Sequence, residues 1–388
     1  MANYGREEMK KETGLGRIRE ALGPLIPELS QKKIVTIAGT NGKGETTLRL
    51  SRELGKRTHC AWISPHVERI TERFRDENGE IPEKDLQRFV NECHREVQEK
   101  NFSLSFYEFL FFVFCRWAQE KNPNFLLLEV GLGGRLDAVN VFDADYVLLP
   151  SISRDHQEFL GNRYELILKE KLALLRPQST LVSFLSLNYL RERAQREARS
   201  VGAKFIDLEE KKLAAHWDFS RRNQILARAA CLLLTGQGLE SLSSDTHDGK
   251  LLENRGEKVS SRGEWIFFGS HNVDGVRNLI QFLKCGNYNF SRPPYDAVIV
   301  AFSRRDPRDL ATMLRMLRDS GLGNLVVTNF PHPKAAPSET MGELAGREGI
   351  KFVHDVQSFI QNSENGRRHL VTGSYYFLGH FKSLLRRG

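Results

Sequence analysis

The chain has 388 residues, 40% of them hydrophobic and 27% charged, proportions that exclude a mostly disordered or collagen-like chain and leave room for two domains. Lys and Arg outnumber Asp and Glu by 57 to 49, a net charge of +8. That balance suits an anionic ligand such as nucleotide phosphates or a polycarboxylate, and no motif of a nucleic-acid-binding module accompanies it.

Taken in chain order, Ile34 to Ala38 is a buried-strand pattern that runs into a glycine-rich loop and then a helical stretch from Thr46 to Gly55. Ala61 to Ser64 reads as a strand, Phe106 to Gln119 as a strongly apolar helix, and Phe125 to Val130 as another buried strand. Strands at Tyr146 to Ile152, Thr180 to Phe184 and Lys204 to Leu208 follow, with helical stretches between. The basic run Arg191 to Arg199 alternates with glutamates at helical spacing and reads as a solvated helix face. Gly236 to Gly263 is polar, rich in Ser, Asp and Gly, and reads as a linker. Beyond it the alternation restarts, with strands at Trp265 to Phe268, Ala297 to Phe302, Leu325 to Thr328, Lys351 to Val353 and His369 to Thr372. Continuous apolar runs imply strands buried on both faces, hence parallel sheets sandwiched by helices.

No apolar run reaches the roughly 18 residues of a membrane helix; Phe102 to Ala118 is interrupted by Tyr107, Glu108 and Arg116. The first residues, MANYGREEMKKE, are too polar for a secretory signal. Cys60, Cys93, Cys115, Cys231 and Cys285 form no CxxC pair and read as reduced thiols of a cytoplasmic protein.

The sharpest signal is Gly39-Thr40-Asn41-Gly42-Lys43-Gly44 between a buried strand and a helix. Glycines let backbone N–H groups converge on phosphate oxygens, the helix N-terminus adds positive dipole, and Lys43 reaches terminal phosphates. The loop departs from GxxxxGK[ST], because position 37 is Ile and Gly44 follows the lysine.

This loop resembles that of the folylpolyglutamate synthase and dihydrofolate synthase family, within the Mur ligase superfamily. The resemblance continues through Ile63-Ser64-Pro65-His66 and Glu72-Arg73-Phe74-Arg75. Leu128 to Asp137 (LEVGLGGRLD) is similar to the EVGLGGRLDATN signature, with Val139 in place of Thr. Asp155-His156 with Glu158 to Gly161, and Lys169-Glu170-Lys171, resemble the DHxEYLG and REKAGI segments. Ser270 to Gly275 is similar to AHNPDG, and Val371 to Tyr375 to VTGSLY. Gly14 to Arg17 resembles an N-terminal GLxR loop, and Ser105 to Glu108 (SFYE) the segment TFFE.

The resemblance implies a P-loop, Mur-ligase-like α/β domain with a mostly parallel sheet over 1–254, and a smaller Rossmann-like α/β domain over 255–388. It implies an ATP-dependent ligase that joins L-glutamate to dihydropteroate, to a reduced folate, or to both, through an acyl phosphate. Mg²⁺ would be held by Ser64, Glu129 and His156. Lys43, His156 and Lys171 would serve the reaction, with Lys171 carbamylated. Thr40, Asn41, Gly42, Lys43, Gly44 and Thr46 would surround the phosphates of ATP. Asn223 would contact adenine, His271 would sit at the ATP site of the second domain, and Arg255 would reach ATP from the boundary, with Arg262 its competitor. Leu15, Gly16, Arg17, Ser105, Leu136, Asp137 and Ala138 would meet the pterin substrate. Phe106, Phe109 and Phe112, at helical spacing, read instead as core. The family implies a monomer with small-molecule partners only, and no membrane or nucleic acid.

Several positions depart from the pattern. Glu45 stands where the family has Ser or Thr, and near ATP phosphates it would repel them or compete for Mg²⁺, with Thr46 left to supply a hydroxyl. Phe268 takes the place of an aspartate that contacts ATP; Ser270 and Val273 replace Ala and Pro. These departures leave open a nucleotide- or folate-binding relative without catalysis. A Mur-type ligase acting on another carboxylate is the further alternative.

Overall fold

The computed structural model describes residues 14–215, 218–243, 255–261, 263–285, 293–364 and 366–387. It divides into two compact units, Met1–His216 with Ser220–His247, and Trp217–Phe219 with Asp248–Gly388.

The first unit contains strands β1 (Lys33–Ile37), β2 (His59–Trp62), β3 (Phe74–Asp76), β4 (Gly79–Glu80), β5 (Phe125–Glu129), β6 (Tyr146–Leu149), β7 (Thr180–Ser183) and β8 (Lys204–Asp207). Its helices are α1 (Gly16–Leu22), α2 (Leu25–Leu29), α3 (Lys43–Leu54), α4 (Glu83–Glu99), α5 (Phe106–Lys121), α6 (Gln157–Leu160), α7 (Tyr164–Leu172), α8 (Asn188–Ser200) and α9 (Phe219–Leu234). The strands form one sheet in the order β4-β3-β2-β5-β1-β6-β7-β8. All neighbours run parallel except β2–β3 and β3–β4, a short antiparallel hairpin at one edge.

Both faces of this sheet are covered, as continuous apolar strands require. Ile34, Leu126, Leu128 and Leu181 point into a core shared with α5. Val35, Ile37, Leu127 and Val182 point the other way, into a core shared with α3 and α9. This alternation is the two-residue period of a strand with both faces buried. Phe109 and Phe112 are buried and Phe106 packs beside them, so these rings are core. Trp62 anchors that side with edge-on contacts to Phe74, Tyr107 and Phe111 at 5.6–5.7 Å; each buried ring contributes about 1.5–3 kcal/mol.

The second unit contains β9 (Arg255–Ser260), β10 (Glu264–Phe268), β11 (Ala297–Ala301), β12 (Asn324–Thr328), β13 (Lys351–Val353) and β14 (Arg368–Gly373). Its helices are α10 (Val273–Cys285), α11 (Pro307–Arg318), α12 (Ser338–Arg347), α13 (Val356–Gln361) and α14 (Tyr375–Arg387). The sheet order is β13-β12-β11-β14-β10-β9, parallel except for β9.

The structure adjusts several sequence readings. The strand expected at Ala61 to Ser64 lies two residues earlier, because His59 is fixed in the sheet: its ring bonds the Ser51 hydroxyl and the Arg57 carbonyl at 2.6 and 2.8 Å. The strand from Tyr146 ends at Leu149, before Pro150, which has no N–H to donate. Part of the segment read as linker is β9, which closes the second sheet on its antiparallel edge. The β3–β4 hairpin had no counterpart in the sequence reading. No helix is long and apolar enough to cross a membrane among the described residues.

Candidate active site

Parallel strands β2, β5, β1 and β6 are consecutive neighbours, so the segments that follow them emerge side by side at the sheet's carboxyl edge. Such edges hold the ligand sites of doubly wound folds. The glycine-rich loop follows β1 and is laced to the segment after β6. Thr40 N donates to Ser151 O, Thr40 Oγ1 donates to Ser153 O, and Ser153 N donates to Thr40 Oγ1, each at 3.0 Å. Asn41 N donates to Ser151 Oγ at 2.9 Å, and Asn41 Nδ2 to Ser153 Oγ at 3.2 Å. Gly42 is left-handed, with φ +90°, and opens α3 at Lys43, so Gly44 lies in the first turn. Lys43 Nζ donates to the carbonyls of Gly39 and Thr40 at 3.1 and 3.2 Å, which holds the ammonium over its own loop. The first-turn N–H groups, the helix dipole and this ammonium make an anion site.

Glu45 does not threaten that site. Its side chain turns into the packing of α3 against α9, where Oε1 accepts from Arg49 Nε at 3.0 Å and Ser220 Oγ at 2.7 Å. Oε2 accepts from Asn223 Nδ2 at 2.9 Å. The expected repulsion of phosphates is therefore replaced by a buried ion pair. Thr46 is fully buried, and its hydroxyl has no hydrogen-bond partner among the described residues.

Glu129 ends β5 and is buried. Its Oε2 accepts from Ser64 N at 3.0 Å, which joins the carboxylate to the segment after β2. Arg73, itself buried, donates to Ser64 Oγ at 3.4 Å and to His66 Nδ1 at 2.8 Å, and lies 5.7 Å from the Trp62 ring centre. Burial, with the Arg73 charge adding to it, lowers the His66 pKa to about 4, so the ring stays neutral and accepts. His156 precedes α6 in a left-handed conformation, φ 49°, with its ring exposed, while Asp155 is buried and accepts from His156 N at 3.0 Å. Carboxylate, hydroxyl and imidazole suit a hard divalent cation that keeps waters in its shell. Among the described residues no three His, Cys, Asp or Glu side chains gather as an all-protein cage.

Lys171, near the end of α7, is buried, and its Nζ donates to Gly133 O at 3.3 Å. Burial, reinforced by the charge of Lys43, lowers its pKa to about 7. The Gly131 to Gly134 loop is held from beneath by Asp137, whose Oδ2 accepts from Gly131 N and Leu132 N at 2.9 and 3.0 Å. Asp137 Oδ1 accepts from Val139 N and from the Tyr107 hydroxyl at 3.1 and 3.0 Å. Burial raises the Asp137 pKa above its ordinary value. Gly134 lies against α7: a Cβ there would stand 2.6 Å from Glu170 O.

The residues expected on the pterin side have local structural partners. Leu15 and Gly16 begin α1, and Arg17 pairs with Glu108 at 3.1 Å. Ser105 caps α5, its hydroxyl accepting from Glu108 N while Glu108 accepts from Ser105 N. Leu136 is exposed, and Ala138 is buried.

In the second unit, the Arg255 backbone starts β9 opposite Phe268, which is buried in the apolar core beneath α10. An aspartate there would be a buried charge, so Phe268 serves packing. His271 follows β10, its ring centre 5.3 Å from that of Tyr375, and Asn272 Oδ1 accepts from Gly275 N at 2.7 Å to start α10. Arg262 lies outside the described residues, as do 244–254 of the expected linker.

Sequence reasoning missed Tyr107, Ser151 and Ser153, and gave Arg73 no role. Tyr107 carried a signal, a hydroxyl where the family segment TFFE has none; the serines carried none, because their partners are remote in sequence.

A glycine-rich, anion-binding loop at the carboxyl edge of a covered parallel sheet, with a second, smaller α/β unit after it, defines a doubly wound α/β protein of two units. No family model matches the chain. It is similar over nearly its whole length to the dihydrofolate synthase/folylpolyglutamate synthase of Bacillus subtilis, at 24% identity covering 99% of this chain and 97% of the relative. It is similar to that of Escherichia coli at 26% identity, covering 91% and 86%. Among solved structures, Escherichia coli FolC in complex with DHPP and ADP superposes with a TM-score of 0.80 at 23% identity, covering 100% of this chain and 96% of that one. The bifunctional protein of Yersinia pestis with AMPPNP and Mn gives 0.79 at 22%, covering 99% and 96%. Across nearly its whole length, then, the chain is similar to dihydrofolate synthase/folylpolyglutamate synthases, in sequence and in fold.

Proposed function

We propose that the chain is an ATP-dependent ligase that adds L-glutamate to dihydropteroate, to a reduced folate, or to both. The observation that carries this reading is the arrangement at one sheet edge: Lys43 held over a preformed phosphate loop, with buried Glu129 at the end of the adjacent strand. The relatives are named for these two activities, and one structural neighbour, 23% identical, holds Mn, AMPPNP and L-glutamate.

In this reading the loop N–H groups and Lys43 hold the triphosphate. A carboxylate oxygen of the pterin substrate attacks the γ-phosphorus, ADP leaves, and an acyl phosphate forms. The amine of glutamate then attacks the acyl carbon, phosphate departs, and the amine loses its proton as the amide forms. Charge develops on the transferring phosphoryl group, so positioned cations and dipoles perform the catalysis. Glu129, Ser64 and His156 would hold the divalent cation, which supplies further positive charge against the phosphate oxygens. Lys171, with its pKa lowered to about 7 by burial, has the neutral amine that carbamylation by CO₂ requires. The amine would attack carbon and lose a proton, and a cation would become a carboxylate. Asn223, Arg255 and His271 are proposed for ATP, and Leu15, Gly16, Arg17, Ser105, Leu136, Asp137 and Ala138 for the pterin. Residues 1–254 would carry nucleotide chemistry and 255–388 glutamate ligation. The five free thiols fit a cytoplasmic protein, and a monomer is proposed by analogy with the family it resembles.

The test is a mass-spectrometric ligation assay with Mg-ATP and glutamate, offering dihydropteroate and tetrahydrofolate separately. Product from dihydropteroate alone defines a dihydrofolate synthase, from tetrahydrofolate alone a folylpolyglutamate synthase, and from both a bifunctional enzyme. Folded protein that yields neither product overturns the proposal.

A further inference from the structure

Glu45 is one of the positions where this chain departs from the pattern it resembles, and Arg49, Ser220 and Asn223 all donate to it. Oε1 receives Arg49 Nε and Ser220 Oγ, and Oε2 receives Asn223 Nδ2 at 2.9 Å. Arg49 extends the same network to Ser220 Oγ at 2.8 Å and to Gln224 Oε1 at 3.3 Å. All five side chains are buried. An ionised carboxylate only accepts, so it fixes which end of the Asn223 amide faces it. The amide in turn lies flat on Gly42: a Cβ there would stand 2.6, 2.9 and 3.1 Å from its oxygen, nitrogen and carbon. Gly42 is the left-handed residue that turns the phosphate loop into α3.

We infer that Glu45 is a positioning residue: its carboxylate pins the Asn223 carboxamide against Gly42 and so holds the phosphate loop in its anion-binding shape before nucleotide arrives. The inference rests on the reading of that loop as the ATP site. A serine or threonine at position 45 is too short to make this connection while also pairing with Arg49. The chain thus fixes its loop from the α9 side.

The test uses the full chain and two probes, Mg-AMPPNP and Mg-tripolyphosphate, measured by titration calorimetry. Tripolyphosphate has no base, so a role of Asn223 confined to adenine leaves its binding unchanged. The clamp requires that Asn223→Ala and Glu45→Gln each weaken both probes by about tenfold, the order of one buried hydrogen bond to a charged partner. It also requires that the double variant bind no more weakly than the poorer single one, because the two residues act in series. In steady state, KM for ATP should rise while KM for glutamate stays constant. A purely structural role would instead lower the melting temperature and the active fraction without moving affinity. If Glu45→Gln fails to fold because Arg49 loses its counter-charge, Asn223→Ala keeps that ion pair and decides the matter. Tripolyphosphate affinity unchanged in folded Asn223→Ala, or additive losses in the double variant, overturns the clamp. Wild-type protein that binds neither probe overturns the ATP reading itself and the clamp with it.

Discussion

The Tyr107 hydroxyl donates to Asp137 Oδ1 at 3.0 Å while accepting from Trp62 Nε1 and Gly131 N, both at 3.2 Å. One oxygen thereby joins the end of β2, the loop after β5, and helix α5. Tyr107→Phe keeps the ring and removes all three bonds, leaving Trp62 Nε1 without its acceptor in the core. Unfolding stability should fall by about 1–3 kcal/mol, read as a lower urea midpoint at unchanged slope. An unmoved midpoint would mean that the hydroxyl contributes nothing.

Glu129 offers a separate test of the proposed cation site. In Glu129→Gln the side-chain carbonyl can still accept from Ser64 N, so the loop after β2 should keep its place. The charge is gone, however, and ligation should fall on the order of 100-fold or more, as for loss of a group that organises transition-state charge. Circular dichroism should match wild type. Ligation at the wild-type rate would remove Glu129 from the site.

Lys171 predicts a pH dependence with a definite sign. Its folded-state pKa is lowered from 10.5 to about 7. Between those values the unfolded chain binds the extra proton, so stability rises with pH across that window. Below about pH 7 the cost of burying this amine is fully felt, and above 10.5 it vanishes. The wild type minus Lys171→Met difference should therefore climb by up to about 1.4 kcal/mol per pH unit in this range. Chemical denaturation from pH 6.5 to 10 measures it under CO₂-free gas. Admitting ¹³CO₂ should then add a carbamate carbon resonance to wild type and not to the variant.

Gly134→Ala tests how closely the loop after β5 lies on α7. The new methyl would stand 2.6 Å from Glu170 O and 3.1 Å from Lys171 Cα, both backbone atoms. Relief requires the loop to lift from the lysine it contacts through Gly133. Stability should drop by about 1–3 kcal/mol, the usual cost of overpacking, and ligation should fall further than stability alone explains. A variant as stable and active as wild type would show the loop to be slack.

What could be read from the sequence was what is local along the chain. The phosphate loop sits between a strand and a helix only a few residues away, and the two-sided burial of β1 and β5 is written in their uninterrupted apolar runs. The short strands β3, β4 and β9 escaped because charged and polar residues such as Arg75, Glu80 and Lys258 leave no apolar run to recognise. Glu45 could not be judged from its neighbours, since the partner that explains it, Asn223, is 178 positions away. Phe268 likewise read as a missing ligand until its ring was seen inside the second core.

The hairpin that borders the first sheet has a consequence for how the molecule meets its own copies. Its outermost strand is two residues long, and Glu80 there receives Arg69, Thr71 and Arg75 side chains at 2.7–3.2 Å. An incoming β-strand would find no run of open backbone groups along which to zip, only a cross-braced cluster of charge. Short, charged borders of this kind discourage edge-to-edge aggregation, so this end of the sheet is guarded against accretion even at the high concentrations of a crowded cell.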